Sequence, residues 1–182
     1  MTGPLVLVSV GSDHHPFQRV VDWADEIART HPEVSVVVQH GHAEPPTVAT
    51  GKPFLPHGEL QDLMRRAAVI VVQGGPAGIF EARGHGVLPI VVPRRQPFGE
   101  HVDDHQRSFA RFVTEAGRAL VAEDLETFRA IVERALANPA AFRVDPSNDG
   151  AEIAQSISAF EAVVSELVSS APARVRRRRR PR

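Results

Sequence analysis

Three short stretches of this sequence combine flexible backbone with donors and acceptors that could hold an anion or a polyol. The first is Gly11-Ser12-Asp13-His14-His15, where Gly11 would let a phosphate approach the backbone and Ser12 offers a hydroxyl. The second is Gln73-Gly74-Gly75-Pro76-Ala77-Gly78, followed by Ile79-Phe80-Glu81. At the start of a helix such a loop presents unpaired N–H groups and roughly half a positive charge, enough to stabilise a departing diphosphate without a metal. Glu81, about a turn further on, is a carboxylate able to accept two hydrogen bonds from a ribose diol. The third is the proline-bounded run 93–106, which ends Glu100-His101-Val102-Asp103-Asp104-His105-Gln106, the short acceptors and donors that suit sugar hydroxyls.

Each stretch also has a plainer reading. Gly11 and Ser12 could make an ordinary tight turn between a strand and a helix, Glu81 could be a favourable charge near a helix start, and Asp103 and Asp104 could be capping residues. His101 and His105, four apart, could share a metal on one helical face with a third ligand from His14, His15, His40 or His42. That arrangement keeps a metal-dependent hydrolase as an alternative, although neither metal nor cofactor is expected. The glycine-rich loop lacks the Lys-Ser/Thr ending of a nucleoside-triphosphate loop and the G-x-G-x-x-G order of a dinucleotide site, which speaks against both.

The elements around these stretches alternate. Residues 5–10 form a continuous β-prone run, and Phe17, Val20, Val21, Ala24, Ile27 and Ala28 recur at helical spacing before His31-Pro32. Residues 34–39 predict a second strand, 40–51 a long polar loop, 53–55 a short extended piece and 59–67 a helix. Then come strand 69–73, helix 79–85, strand 89–92, helix 101–116 with Val102, Phe109, Phe112 and Val113 on one face, strand 119–122 and helix 125–136. A Pro/Asn/Asp-rich stretch, 138–150, precedes a last amphipathic helix marked by Ile153, Ile157, Phe160, Val164, Leu167 and Val168. The expected fold is α/β: one Rossmann-like, doubly wound, mostly parallel sheet, with ligands at the carboxyl ends of its strands.

The 182 residues suffice for one well-filled core, so the expected organisation is a domain over 1–170 and a disordered arginine-rich tail over 171–182. Seven of the 21 basic residues lie in that tail; without it, 14 basic face 22 acidic residues, a body of net charge −8. The tail lacks the aromatics of single-stranded nucleic-acid sites, so nucleic acid is not an expected partner, whereas an anionic membrane surface is possible for it. With no cysteine, no signal-like start and no apolar run near membrane-spanning length, the expectation is a cytoplasmic protein.

Residues 6–12, Phe54-Leu55-Pro56-His57, 73–81, 86–93 and 100–106 together resemble, in order and spacing, the C-terminal domain of glycosyltransferase family 28 across roughly residues 4–137. Within that family the chain is similar to the small donor-binding subunits of two-component GlcNAc transferases of the dolichol pathway and of bacterial exopolysaccharide assembly, the Gly99–Gln106 segment being the most specific link. The resemblance implies the C-terminal half of a GT-B enzyme that binds a UDP-sugar. A membrane-anchored partner would supply the acceptor half, placing this chain at the cytoplasmic face of a membrane. By the same resemblance Gly11 and Ser12 would approach the diphosphate, Phe54 and Leu55 would flank the uracil, and Gly74, Gly75 and Gly78 would face the phosphates. Glu81 would hold the ribose, and Asp103, Asp104, His105 and Gln106 would read the donor sugar. The reaction implied is an inverting transfer of a hexosyl or N-acetylhexosaminyl group to a lipid-linked acceptor. Its general base is expected on the partner, with His14 and His15 the local residues to test. One departure is Pro76-Ala77, where relatives carry small hydroxyl or glycine residues; proline removes an N–H donor there. The alternative from another class is a nucleotide-sugar-binding regulatory module that has lost transfer.

Overall fold

The buried apolar runs become the strands of one sheet. In a computed structural model, which describes residues 3–103 and 105–146, they are β1 (Leu5–Ser9), β2 (Ser35–Gln39), β3 (Thr50–Lys52), β4 (Val69–Gln73), β5 (Ile90–Val92) and β6 (Leu120–Val121). The helices are α1 (Gln18–Thr30), α2 (His57–Arg66), α3 (Pro76–Gly84), α4 (His105–Glu115) and α5 (Leu125–Ala137). The sheet order is β3-β2-β1-β4-β5-β6, and every neighbouring pair is parallel. β1, β4 and β5 are almost wholly buried, as strands covered on both faces must be.

Alternation divides the core between the two faces. Val6, Val8 and Val10 join Val69, Val71, Ile90 and Val92 in the layer under α1 and α5, where Trp23 meets Phe128 at 5.4 Å between ring centroids. Leu7 and Ser9 point to the other side, where α2 packs against β1 and α3 against β4. From β1 the chain winds one way to β2 and β3, and from β4 the other way to β5 and β6. The carboxyl ends of β1 and β4 therefore flank the crevice at which an open parallel sheet receives its ligand.

Three sequence-based boundaries move by three residues or more. The extended piece expected at 53–55 is displaced to Thr50–Lys52, because Pro53 has no N–H for a ladder whereas Thr50, Gly51 and Lys52 pair in register with Val37, Val38 and Gln39. The helix expected from residue 79 begins at Pro76. The helix expected from 101 begins at His105, because a 3-10 turn at Gln96–Phe98 ends on left-handed Gly99 (φ 69°) and residues 100–103 form an irregular bend. Val102 accordingly is 68% exposed and not part of a helical face. The last amphipathic helix, the arginine tail and Asp104 lie outside the described residues, as does the side chain of His105. Among the described residues no helix is long and apolar enough to cross a membrane.

Candidate functional site

A cleft of about 320 Å³ opens at the carboxyl edge of the sheet between α2 and α3. Four separate segments converge on it: Gly11 and Ser12 after β1, Phe54 and Leu55 before α2, His57 on α2, and Gly78 and Glu81 on α3. Its apolar wall comes from Leu60, Met64 and Val72, and its polar floor from Ser9, Gln39 and Gln73. A flat heterocycle with a polar edge suits such a space, which falls at the small end of ligand cavities.

The floor is built from side chains at strand ends. Gln39, the last residue of β2, is buried; its Oε1 accepts from the N–H of Leu55 at 3.1 Å and its Nε2 donates to Ser9 Oγ at 3.3 Å. Backbone bonds from His40 to Lys52 and from Gly41 to Pro53 tie the same loop to the sheet. Phe54 is thereby held at the mouth, 48% exposed and edge-on to His42 at 5.3 Å. Gly11 is left-handed (φ 76°), and a Cβ there would collide with the Gln73 side chain. Gly78 lets α3 approach β4 closely, since a Cβ on it would lie 3.2 Å from Val72.

The glycine-rich loop ends on a helix. Gly75 is the N-cap of α3 and Pro76 its first residue, so Gly75, Ala77 and Gly78 carry the N–H groups that helix geometry leaves without intrahelical partners. The N-cap glycine has no side chain to cover them. Glu81 lies in the second turn, half-buried, and lines the cleft.

A fully buried arginine locks these loops together. Arg94 donates from Nε to Gln73 Oε1 (2.6 Å), from one terminal nitrogen to the carbonyls of His15 (2.7 Å) and Glu100 (2.9 Å), and from the other to that of Val10 (2.9 Å), with the Phe17 ring 4.7 Å away. Burial lowers its pKa, and the charges of Asp13 and Glu100 oppose that. Beside it, Glu100 receives a bidentate pair from Arg19, both bonds at 2.8 Å, and the N–H of Arg95 at 2.8 Å. Sequence reasoning passed over Arg94. The signal was its parity: Ile90 and Val92 face the core, and two residues on, Arg94 continues inward.

Gln106 is also buried. Its Oε1 accepts from the N–H groups of Gly74 (3.1 Å) and Arg94 (3.2 Å), so it fastens the start of α4 to the glycine-rich loop, and a Cβ on Gly74 would lie 2.9 Å from the Gln106 carbonyl oxygen. Asp103 is exposed, 3.4 Å from His101 Nδ1.

The histidines sort differently from their spacing. His101 precedes α4 and does not share a helical face with His105; it turns to the β1 loop, its Nε2 3.5 Å from Asp13 Oδ2. His15 Nδ1 lies 2.7 Å from Asp13 Oδ1, which also accepts the His15 N–H at 2.8 Å. Burial pushes the Asp13 carboxyl upward, but these bonds and the Arg94 charge outweigh it and hold the group below its ordinary value. Asp13, His14 and His15 place one ligand atom each within 4.8 Å of one another, the only such grouping among the described residues. His40, by contrast, is buried against the carbonyl of Ala43, its Nδ1 2.9 Å away.

The model of the glycosyltransferase family 28 C-terminal domain matches residues 5–158. Among solved structures, the chain is similar to the glycotransferase of kitacinnamycin (23% identity, TM-score 0.58, 86% of this chain and 39% of that one). It is similar also to MurG of Acinetobacter baumannii (19%, 0.55, 78% and 44%) and to the spinosyn forosaminyltransferase SpnP (20%, 0.57, 90% and 44%). It spans less than half the length of each, and the likeness is one of fold. A search of curated proteins finds no match.

Proposed function

The chain belongs to the glycosyltransferase family 28 C-terminal domains, and from that premise we propose that it is the donor-binding half of an inverting glycosyltransferase that uses a UDP-sugar. The observation that carries the proposal is the convergence of Ser12, Phe54, Leu55, Gly78 and Glu81 from separate segments on one cleft at the switch point of the sheet. In this reading Phe54 and Leu55 flank the base, Glu81 accepts from the ribose hydroxyls, and Gly11, Ser12 and the free N–H groups of Gly75, Ala77 and Gly78 receive the diphosphate. Gly74 gives its own N–H to Gln106 and, without a Cβ, lets Gln106 approach the loop closely. The donor sugar extends toward Asp103, Asp104, His105 and Gln106, with Gln106 also setting the position of that wall.

Transfer proceeds by attack of an acceptor hydroxyl on the anomeric carbon as the diphosphate departs with the bonding pair. The helix end of α3 stabilises the charge that develops on the leaving group. The transferred group is a hexosyl or N-acetylhexosaminyl unit and the acceptor lipid-linked. A membrane-anchored partner contributes the acceptor-binding half and the general base, and the arginine tail assists docking at an anionic surface. His14 and His15 are the residues of this chain nearest to a catalytic role.

Calorimetric titration with UDP and UDP-sugars tests the proposal. Micromolar binding is expected, weakened about 10- to 100-fold in Glu81→Ala by loss of charge-assisted hydrogen bonds to the ribose. A Kd above millimolar for wild type, alone and with a co-expressed acceptor subunit, would refute it.

A further inference from the structure

Two side-chain amides line the floor of the cleft, and the protein uses them differently. Gln39 spends both ends on its neighbours, accepting the N–H of Leu55 at Oε1 and donating from Nε2 to Ser9. Gln73, the last residue of β4, spends one. Its Oε1 accepts from Arg94 Nε at 2.6 Å, and its Nε2 has no acceptor among the described residues. Arg94 carries donors only, is fully buried and is anchored on the carbonyls of Val10, His15 and Glu100, so the oxygen of the amide must face it. The NH2 end of Gln73 is thereby turned away from the arginine, and the guanidinium at the carbonyl end polarises it into a stronger donor.

Two glycines fix where that NH2 group sits. A Cβ on Gly11 would collide with Nε2, and a Cβ on Gly75, the N-cap of α3, would come 3.6 Å from it. Nε2 therefore lies beside both loops, and neither loop puts a side chain against it. Gly11, Ser12, Gln73, Ala77 and Gly78 all line the same cleft. An oriented amide donor, a hydroxyl and the open N–H groups of a helix start thus border one space, a donor set suited to a phosphate oxyanion.

We propose that Gln73 is a direct ligand of the diphosphate: its Nε2 donates to a phosphate oxygen seated between the Gly11 loop and the start of α3, and Arg94 decides which end of the amide faces that oxygen. The inference rests on the donor-site reading above. It adds a side chain to a subsite otherwise made of backbone and Ser12, and it makes the buried Arg94 a positioning residue that acts through this amide.

Gln73→Glu tests this because it separates the two ends of the side chain. One carboxylate oxygen keeps the bond from Arg94, now as an ion pair, and the other puts negative charge where the donor stood. In calorimetric titration of the full chain, UDP affinity is expected to fall at least about 100-fold. Uridine, which has the same base and ribose without phosphate, is expected to bind within about twofold of wild type by ligand-observed NMR. Gln73→Met removes the donor without adding charge and should weaken UDP about five- to 20-fold, with uridine again unchanged. Thermal melts establish that both variants are folded; if Gln73→Glu is not, Gln73→Met decides. A role confined to satisfying Arg94 predicts the reverse: Gln73→Glu binds UDP as wild type does, and Gln73→Met loses UDP and uridine together. UDP affinity within about threefold of wild type in the deciding variant, or an equal loss of uridine, overturns the assignment and leaves the donor site standing. Absence of UDP binding in wild type removes the donor site and this inference together.

Discussion

Replacing Arg94 by methionine removes a side chain that touches three loops at the carboxyl edge of the sheet. Methionine keeps the apolar stem but strands the carbonyls of Val10, His15 and Glu100 and the amide oxygen of Gln73, which the guanidinium reaches at 2.6–2.9 Å. A buried acceptor left without a partner costs about 1–3 kcal/mol, so four could cost about 4–12. Against this stand relief of the arginine's own desolvation and relaxation of the exposed His15 loop. Breaking buried charged networks usually settles at a net loss of about 3–5 kcal/mol. For a chain of this size that is a fall in Tm of about 10 °C. Urea unfolding followed by circular dichroism reads the first number and a thermal melt the second; UDP titration of the variant should show affinity reduced more than tenfold. Arg94→Lys should recover less than half of the stability, because an ammonium cannot span acceptors on opposite sides of a planar fork. A loss below about 1 kcal/mol in Arg94→Met would show that the loops hold their places by themselves, and the account of Arg94 would fail.

Gly11→Ala forces a Cβ into a left-handed backbone and against Gln73, so a loss of at least about 1–2 kcal/mol in urea unfolding is expected, with weaker UDP binding. Asp25 is buried on α1 and accepts the N–H groups of Thr47, Val48 and Ala49 and the Thr47 hydroxyl; burial raises its pKa, but these four bonds prevail and set it below the ordinary 3.8. A depressed carboxylate stabilises the fold above its unfolded pKa and loses that contribution as pH falls through the folded one. Wild-type stability should therefore hold above about pH 4 and drop below it, and Asp25→Asn should be about 1–3 kcal/mol weaker at pH 7 with a flatter acid limb in denaturant titrations. Pro76→Ala should change UDP affinity less than about threefold, since a proline at the first helical position already fits its backbone.

The sequence patterns that proved legible are those in which a single period dominates. Residues 5–9 and 69–73 are valine-rich runs buried on both faces, and 35–39 is a third in which only Ser35 and Val37 stay half-buried. Thr50-Gly51-Lys52 carries no such pattern; it is a strand only because β2 offers an edge to pair with and Pro53 cannot continue it, facts that belong to the tertiary structure. The start of α4 was hidden for a related reason: Val102 fits the helical period, but Gly99 and the Arg19–Glu100 pair turn the chain away before the helix begins. The same turn brings His101 to Asp13, and no spacing in the sequence foretells a contact between residues so far apart. Arg94 could have been read from parity alone, yet an arginine at the end of a strand is ordinarily a surface residue, and only the carbonyls gathered around it make the inward rotamer favourable.

Pro76 illustrates how a local doubt depends on where an element begins. Within a loop, a proline between Gly75 and Ala77 would delete a donor from the nest that should receive a diphosphate. At the first position of α3 it deletes nothing from the helix ladder, because that N–H has no intrahelical partner in any case, and its fixed φ favours the helical entry that aims the next two N–H groups outward. Gly75 before it and Gly78 after it keep the approach free of side chains, while Gly78 also seats the helix on Val72. A small rigid residue flanked by glycines therefore keeps the helix end open toward Gly11 and Ser12, and the departure from the family's usual residues is compatible with diphosphate binding at this loop.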